Sequence, residues 1–178
     1  MNCNSSTPEL PLQAVPSAMV TFGSLSGGVR VIPAAWVGIV CANPLSLLVA
    51  VRTGRIELCR ERPFAVNLPA GDLLASPFLS KMPADMEDGF PSSVGLTFSA
   101  GKVKGVFLIE ECPVRIECCW EATRSRFGQD FIYGEVMAVH ADEACLVGDR
   151  LPTSPDRLKP FTRVWNRCLS PWAGRAQA

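Results

Sequence analysis

From Val114 to Ala122 apolar and polar residues alternate. Val114, Ile116, Cys118, Trp120 and Ala122 face one way, and Arg115, Glu117, Cys119 and Glu121 face the other. A period of two predicts a half-buried strand. Ser125 to Gln129, with Gly128 inside it, predicts a turn. The next segment, Asp130 to Ala141, is apolar on both faces at Phe131, Ile132, Tyr133, Val136, Met137, Ala138 and Val139. Burial on both faces predicts a strand within a barrel wall or at a subunit interface. Glu135 within it needs a partner if it is buried.

The first half is more broken. The short run Ala18 to Phe22, the turn residues Ser26-Gly27-Gly28 and the run Val29 to Ile32 predict a hairpin. Val31 to Val51 is an uncharged stretch of 21 residues, long enough for a membrane helix by length alone. Pro33 and Asn43-Pro44 divide it, since the residue before proline is driven out of helical geometry. Two buried strands, Ala34 to Ala42 and Leu45 to Val51, are predicted in its place. Short helices are expected over Arg55–Arg62 and Asp72–Leu79, with a strand at Phe64–Leu68 between them and a long excursion over Met82–Gly101.

Composition narrows the class. Apolar residues make 48% of the chain and charged residues 19%, which excludes an intrinsically disordered protein. The 14 glycines and 15 prolines favour turns, and therefore strands over helices. Lys and Arg total 17, matching 17 Asp and Glu, so no basic excess supports a nucleic-acid binder. The expected architecture is one mostly-β domain with short helices, a small barrel with Greek-key-like or meander connections. It spans residues 17–165, after a loose arm over 1–16 and before a tail over 166–178. The eight cysteines include no Cys-x-x-Cys pair, and His140 is the sole histidine, so no metal site is expected. No signal peptide is evident in the opening residues, which points to reduced thiols and a cytoplasmic protein. No Gly-x-Ser-x-Gly, P-loop or Gly-x-Gly-x-x-Gly is present.

Several segments, in this order, resemble the flavin reductase-like family, including flavoredoxins, with the FMN-binding split-barrel fold. They are Ala34-Ala35-Trp36-Val37-Gly38-Ile39, Asn43-Pro44, Val49-Ala50-Val51-Arg52 and Phe64-Ala65-Val66-Asn67-Leu68-Pro69. Leu108 to Cys118 follows, then Phe131-Ile132-Tyr133-Gly134-Glu135-Val136 and Val139-His140-Ala141-Asp142. The resemblance implies a homodimer with FMN near the subunit interface. Ile32, Pro33, Ala34, Ala35 and Trp36 would lie along the flavin ring. Val51, Arg52, Thr53 and Arg55 would hold the ribityl and phosphate groups, where arginine offers charge-assisted donors. Ser80 and Lys81 stand in the region that supplies a cofactor-binding serine and lysine in relatives.

The resemblance also implies NADH or NADPH as transient electron donor, or electron transfer to a redox protein. No catalytic side chain stands out in the sequence, and the balanced charge and the divided apolar stretch argue against nucleic acid and membrane as partners. The chain departs from the family pattern at three places. Ala35 replaces a hydroxyl residue, Gly89 stands where a lysine precedes phenylalanine, and Arg163-Val164-Trp165-Asn166 replaces Gly-x-Tyr-Trp. These departures motivate the alternative: a non-enzymatic split-barrel dimer that has lost tight flavin binding.

Overall fold

The computed structural model describes residues 18–23, 28–52, 54, 61–69 and 95–145. Nine strands appear in them: β1 (Ala18–Gly23), β2 (Val29–Ala34), β3 (Trp36–Ala42), β4 (Leu45–Arg52), β5 (Phe64–Leu68), β6 (Phe98–Ala100), β7 (Phe107–Ile109), β8 (Val114–Arg126) and β9 (Gln129–Ala141). A 3-10 turn follows at Glu143–Cys145. Seven strands form one antiparallel sheet in the order β2-β1-β5-β8-β9-β4-β3, and β6 and β7 make a separate hairpin.

The two edge strands, β2 and β3, are consecutive in the chain. Only Ala35 separates them, and its N–H donates to Ala50 O at 2.7 Å. The chain thus passes directly from one edge of the sheet to the other, which curls the sheet round into a split barrel. A shared core fills it: Val20, Phe22 and Ile32 from the first hairpin, Leu47, Val49 and Val51 from β4, Phe64 and Val66 from β5, Cys118 from β8 and Ile132 from β9. Trp120 packs its ring against Phe22 and edge-on to Phe64, with centroids 6.4 and 6.3 Å away. Gly134 lies where a side chain would strike Phe64 and Cys118, so the strand needs glycine there.

The long uncharged stretch divides as predicted, with β3 and β4 antiparallel across a turn at Asn43–Pro44, whose peptide bond is cis. β4 is largely buried as expected, whereas β3 begins at Trp36 rather than Ala34 and is mostly exposed. No helix among the described residues is long and apolar enough to cross a membrane. The β1–β2 hairpin, β5, β8 and β9 also lie where the patterning puts them.

Three further features differ from expectation. The excursion expected to run through Gly101 contains β6, paired with β7. The turn after β8 is only Phe127-Gly128, so β8 continues to Arg126. The Glu117 face of β8 is not solvent-exposed, because the β6–β7 hairpin covers it and Glu117 is fully buried. The arm over 1–16, the tail over 166–178, the helix expected over 72–79 and nearly all of the helix over 55–62 lie outside the described residues.

Candidate functional site

A bend at Ala35 creates the site. In β2 the residues facing the core are even-numbered: Ile32 is buried and Ala34 packs against it. In β3 the residue packed on that same core is Val37. Strict alternation would have put Trp36 inside. The bend shifts the alternation by one residue and turns Trp36 outward, where it is 39% exposed. Its indole lies over Gly38, whose missing side chain leaves room for the ring.

Cross-strand pairing then sets out the outer face row by row. One row runs Trp36, Ala50, Phe131, Arg124. On one side of it lie Leu48, Tyr133 and Ala122; on the other lie Arg52, Gln129 and Arg126. Directly paired residues share a face, and the rows between them (Val49 with Ile132, Val51 with Asp130) point into the barrel. Aromatic and small apolar groups thus form a platform bordered by three exposed arginines, 52, 124 and 126. A bulge at Glu121, between Trp120 and Ala122, preserves this arrangement by resetting β8 after the core.

The residues expected along the ring and at the phosphate therefore converge, although β2 and β4 are separate in sequence. Trp36 lies directly opposite Ala50, and Ala35 is hydrogen-bonded to that same residue. Their roles divide. Ile32 and Val51 are buried in the core wall, and Ala34 is packed against it. Pro33, Ala35, Trp36 and Arg52 are exposed. Thr53, Arg55, Ser80 and Lys81 lie outside the described residues. Phe131, Tyr133, Arg124 and Arg126 were not among the expected site residues. The signal for the first two was present as alternate aromatic positions in one strand.

The remaining polar groups of the barrel are structural. Asn67 is fully buried in β5. Its Nδ2 donates to Met19 O at 3.2 Å and Thr21 Oγ1 at 3.0 Å, and its Oδ1 accepts from Ile109 N at 2.9 Å. Thr21 Oγ1 in turn donates to Phe107 O. Glu117 accepts from Lys102 N at 2.9 Å and Val103 N at 2.7 Å, and His140 Nε2 lies 2.6 Å from its Oε1. Burial pushes the Glu117 carboxyl up. The Val103 and Lys102 amides and His140 outweigh that and hold it below the ordinary carboxylate value. His140 thus has a structural partner.

The five described cysteines, 41, 112, 118, 119 and 145, are free thiols. Burial pushes Cys112 and Cys118 up to about 12, so neither supplies a thiolate nucleophile at neutral pH.

Known proteins share this architecture. Flavoredoxin from Methanosarcina acetivorans superposes with a TM-score of 0.75 at 19% identity, over 91% of this chain and 86% of that one. Flavoredoxin of Desulfovibrio vulgaris (Miyazaki F) gives 0.72 at 23% identity, over 91% and 87%. A Shewanella frigidimarina protein with a split barrel domain gives 0.64 at 14% identity, over 78% and 73%. At these identities the likeness establishes the split-barrel fold. No curated protein sequence matches the chain. The model of the flavin reductase like domain matches residues 13–150. That span is most of the chain and contains every element described above, so the chain belongs to the flavin reductase-like family, whose chemistry is flavin-related redox chemistry.

Proposed function

We propose that this protein binds FMN on the outer platform of β3, β4 and β9 and acts as an NAD(P)H-dependent flavin reductase or a flavin electron carrier. The observation that carries the reading is the bend at Ala35, which turns Trp36 outward onto the face that presents Arg52. That face has the two chemistries FMN requires. Trp36 and Phe131 offer aromatic surface to a planar ring. Arg52, exposed at the end of β4, offers charge-assisted donors to a phosphate. Thr53 and Arg55, next in the chain, and Ser80 and Lys81 are proposed to add to the phosphate and ribityl contacts. The hydride-accepting chemistry belongs to the flavin, while the protein supplies position and electrostatics. The lost hydroxyl at Ala35 is not replaced by that residue's N–H, which already serves Ala50.

The functional unit is proposed to be a homodimer. Ile39, Val40, Leu45, Met137 and Val139 are 69, 47, 39, 52 and 45% exposed. They lie on β3, at the start of β4 and on the adjoining part of β9. Grouped exposed apolar side chains of this kind mark association surfaces. A second copy covering them would abut the platform and shield the ring from water. Sedimentation at micromolar concentration is expected to give twice 19.2 kDa; a monomer overturns the dimer.

Fluorescence quenching on titration with FMN tests the site. Micromolar or tighter binding is expected, about −8 kcal/mol. Arg52→Ala is expected to weaken it roughly tenfold or more with no change in melting temperature. Absence of quenching at a hundredfold higher concentration favours the non-enzymatic dimer, for which the departures at Ala35 and Gly89 are the motive.

A further inference from the structure

The tip of the β8–β9 hairpin has features that the barrel does not require. Arg126 pairs with Gln129, which leaves a two-residue loop, Phe127-Gly128. Both loop residues have positive φ, 54° and 71°, the geometry of a type I′ turn. Such turns favour Asn, Asp or Gly at these positions, and a bulky aromatic there is an outlier. Phe127 contributes nothing to the core, being 86% exposed. Its ring is nonetheless organised: the Arg126 guanidinium lies 4.9 Å from the ring centroid, a cation–π arrangement.

Charge gathers at the same place. Arg124 and Arg126 are exposed on one face, and Arg52 joins them across Gln129. Arg52 and Arg126 are two strand spacings apart, about 10 Å. The carboxylate within the tip, Asp130, faces the interior and accepts from Ser125 Oγ. In a chain of zero formal charge, this is a local cationic edge beside an exposed ring. Guanidinium groups recognise phosphate oxygens through two parallel donors. Aromatic rings and arginine planes stack on nucleobases.

We propose that the β8–β9 tip is an adenosine-phosphate subsite, in which Arg124 and Arg126 hold the phosphate and Phe127 with the Arg126 plane stacks the base. The identity of the molecule carrying that group rests on the flavin reading above. Its position beyond Arg52 suits either of two sources: the adenylate half of FAD, or the adenosine end of NADPH delivered to a flavin on the platform.

Titration calorimetry of the full chain, stripped of nucleotide, with 2′,5′-ADP tests the subsite without needing a flavin. Binding is expected, and Arg124→Ala or Arg126→Ala should each weaken it roughly tenfold. Phe127→Asn should also weaken it while raising the melting temperature, because asparagine suits the turn. That opposite movement separates a binding role from a structural one. No heat at millimolar 2′,5′-ADP, or unchanged binding in the variants, overturns the proposal.

Flavin and donor titrations then identify the source. FAD binding tighter than FMN, with the difference erased by Arg126→Ala, assigns the flavin. Unchanged FMN and FAD affinities with a raised KM for NADPH assign the donor. A protein that binds 2′,5′-ADP but neither flavin keeps the subsite and fails the flavin reading. One that binds FMN but not 2′,5′-ADP does the reverse.

Discussion

The outer surface of the barrel has two halves that treat polar groups in opposite ways. Over β1, β5 and the first part of β8, the β6–β7 hairpin lies on the sheet, and the fully buried side chains Asn67, Thr21 and Glu117 are matched to named partners. Asn67 binds β1 and β7 at once, and Glu117 holds two amides and His140. Over β3, β4, β9 and the far part of β8, arginines and aromatics stand exposed. Both halves are built on β8 and β9, so the difference is not one of strand type. Matched groups in a dry place rigidify and specify a structure. Unmatched groups on an open face remain available to a ligand.

Glu117→Ala is expected to give the largest loss of stability. It would strand the Lys102 and Val103 amides and leave His140 without its partner, at about 3–5 kcal/mol. Urea denaturation of the variant measures it; a change below 1 kcal/mol would mean the hairpin is not held there. Asn67→Ala should follow at about 2 kcal/mol, from the unpaired Ile109 amide.

Acid should weaken the same half. Glu117 titrates below its ordinary value in the folded protein, so the unfolded chain binds its proton more readily. Its stabilisation is complete above the unfolded value near 4.5 and is lost as pH falls through the lower folded value. Glu117→Gln should flatten that acid limb of the stability profile. An unchanged limb would assign it to other carboxylates.

The strands were legible because burial imposes a period of two, visible in β8, and because Asn43-Pro44 divides the uncharged run. Less visible was anything decided by partners far along the chain. Glu117 looked like a solvent-facing residue, since the amides that receive it come from Lys102 and Val103, in a loop with no periodicity of its own. β6 and β7, three residues each, are too short to show alternation. The candidate site was legible as segments but not as a surface. Nothing in Ala34-Ala35-Trp36 marks the one-residue shift at Ala35, which closure of the barrel imposes. That shift decides which of these residues can meet a ligand and which serve the core.

Two glycines sharpen the comparison at its smallest scale. A side-chain carbon on Gly101 would lie 2.5 Å from a Glu117 carboxylate oxygen, and one on Gly38 would lie 2.3 Å from the Trp36 ring. By distance alone the second clash is worse. The neighbours differ in freedom. Glu117 is fixed by three hydrogen-bond partners in a fully buried position, so Gly101→Ala must distort the loop or break the carboxylate's contacts, at about 1–3 kcal/mol. Trp36 is partly exposed, and its ring can swing toward solvent. Gly38→Ala should therefore cost under about 1 kcal/mol. It should still displace the ring from the platform, visible as a shifted tryptophan emission and weaker FMN quenching beside a nearly unchanged urea midpoint. If Gly38→Ala proved the more destabilising, the Trp36 side of the barrel would be as tightly built as the Glu117 side, and the division into a sealed and an open half would fail.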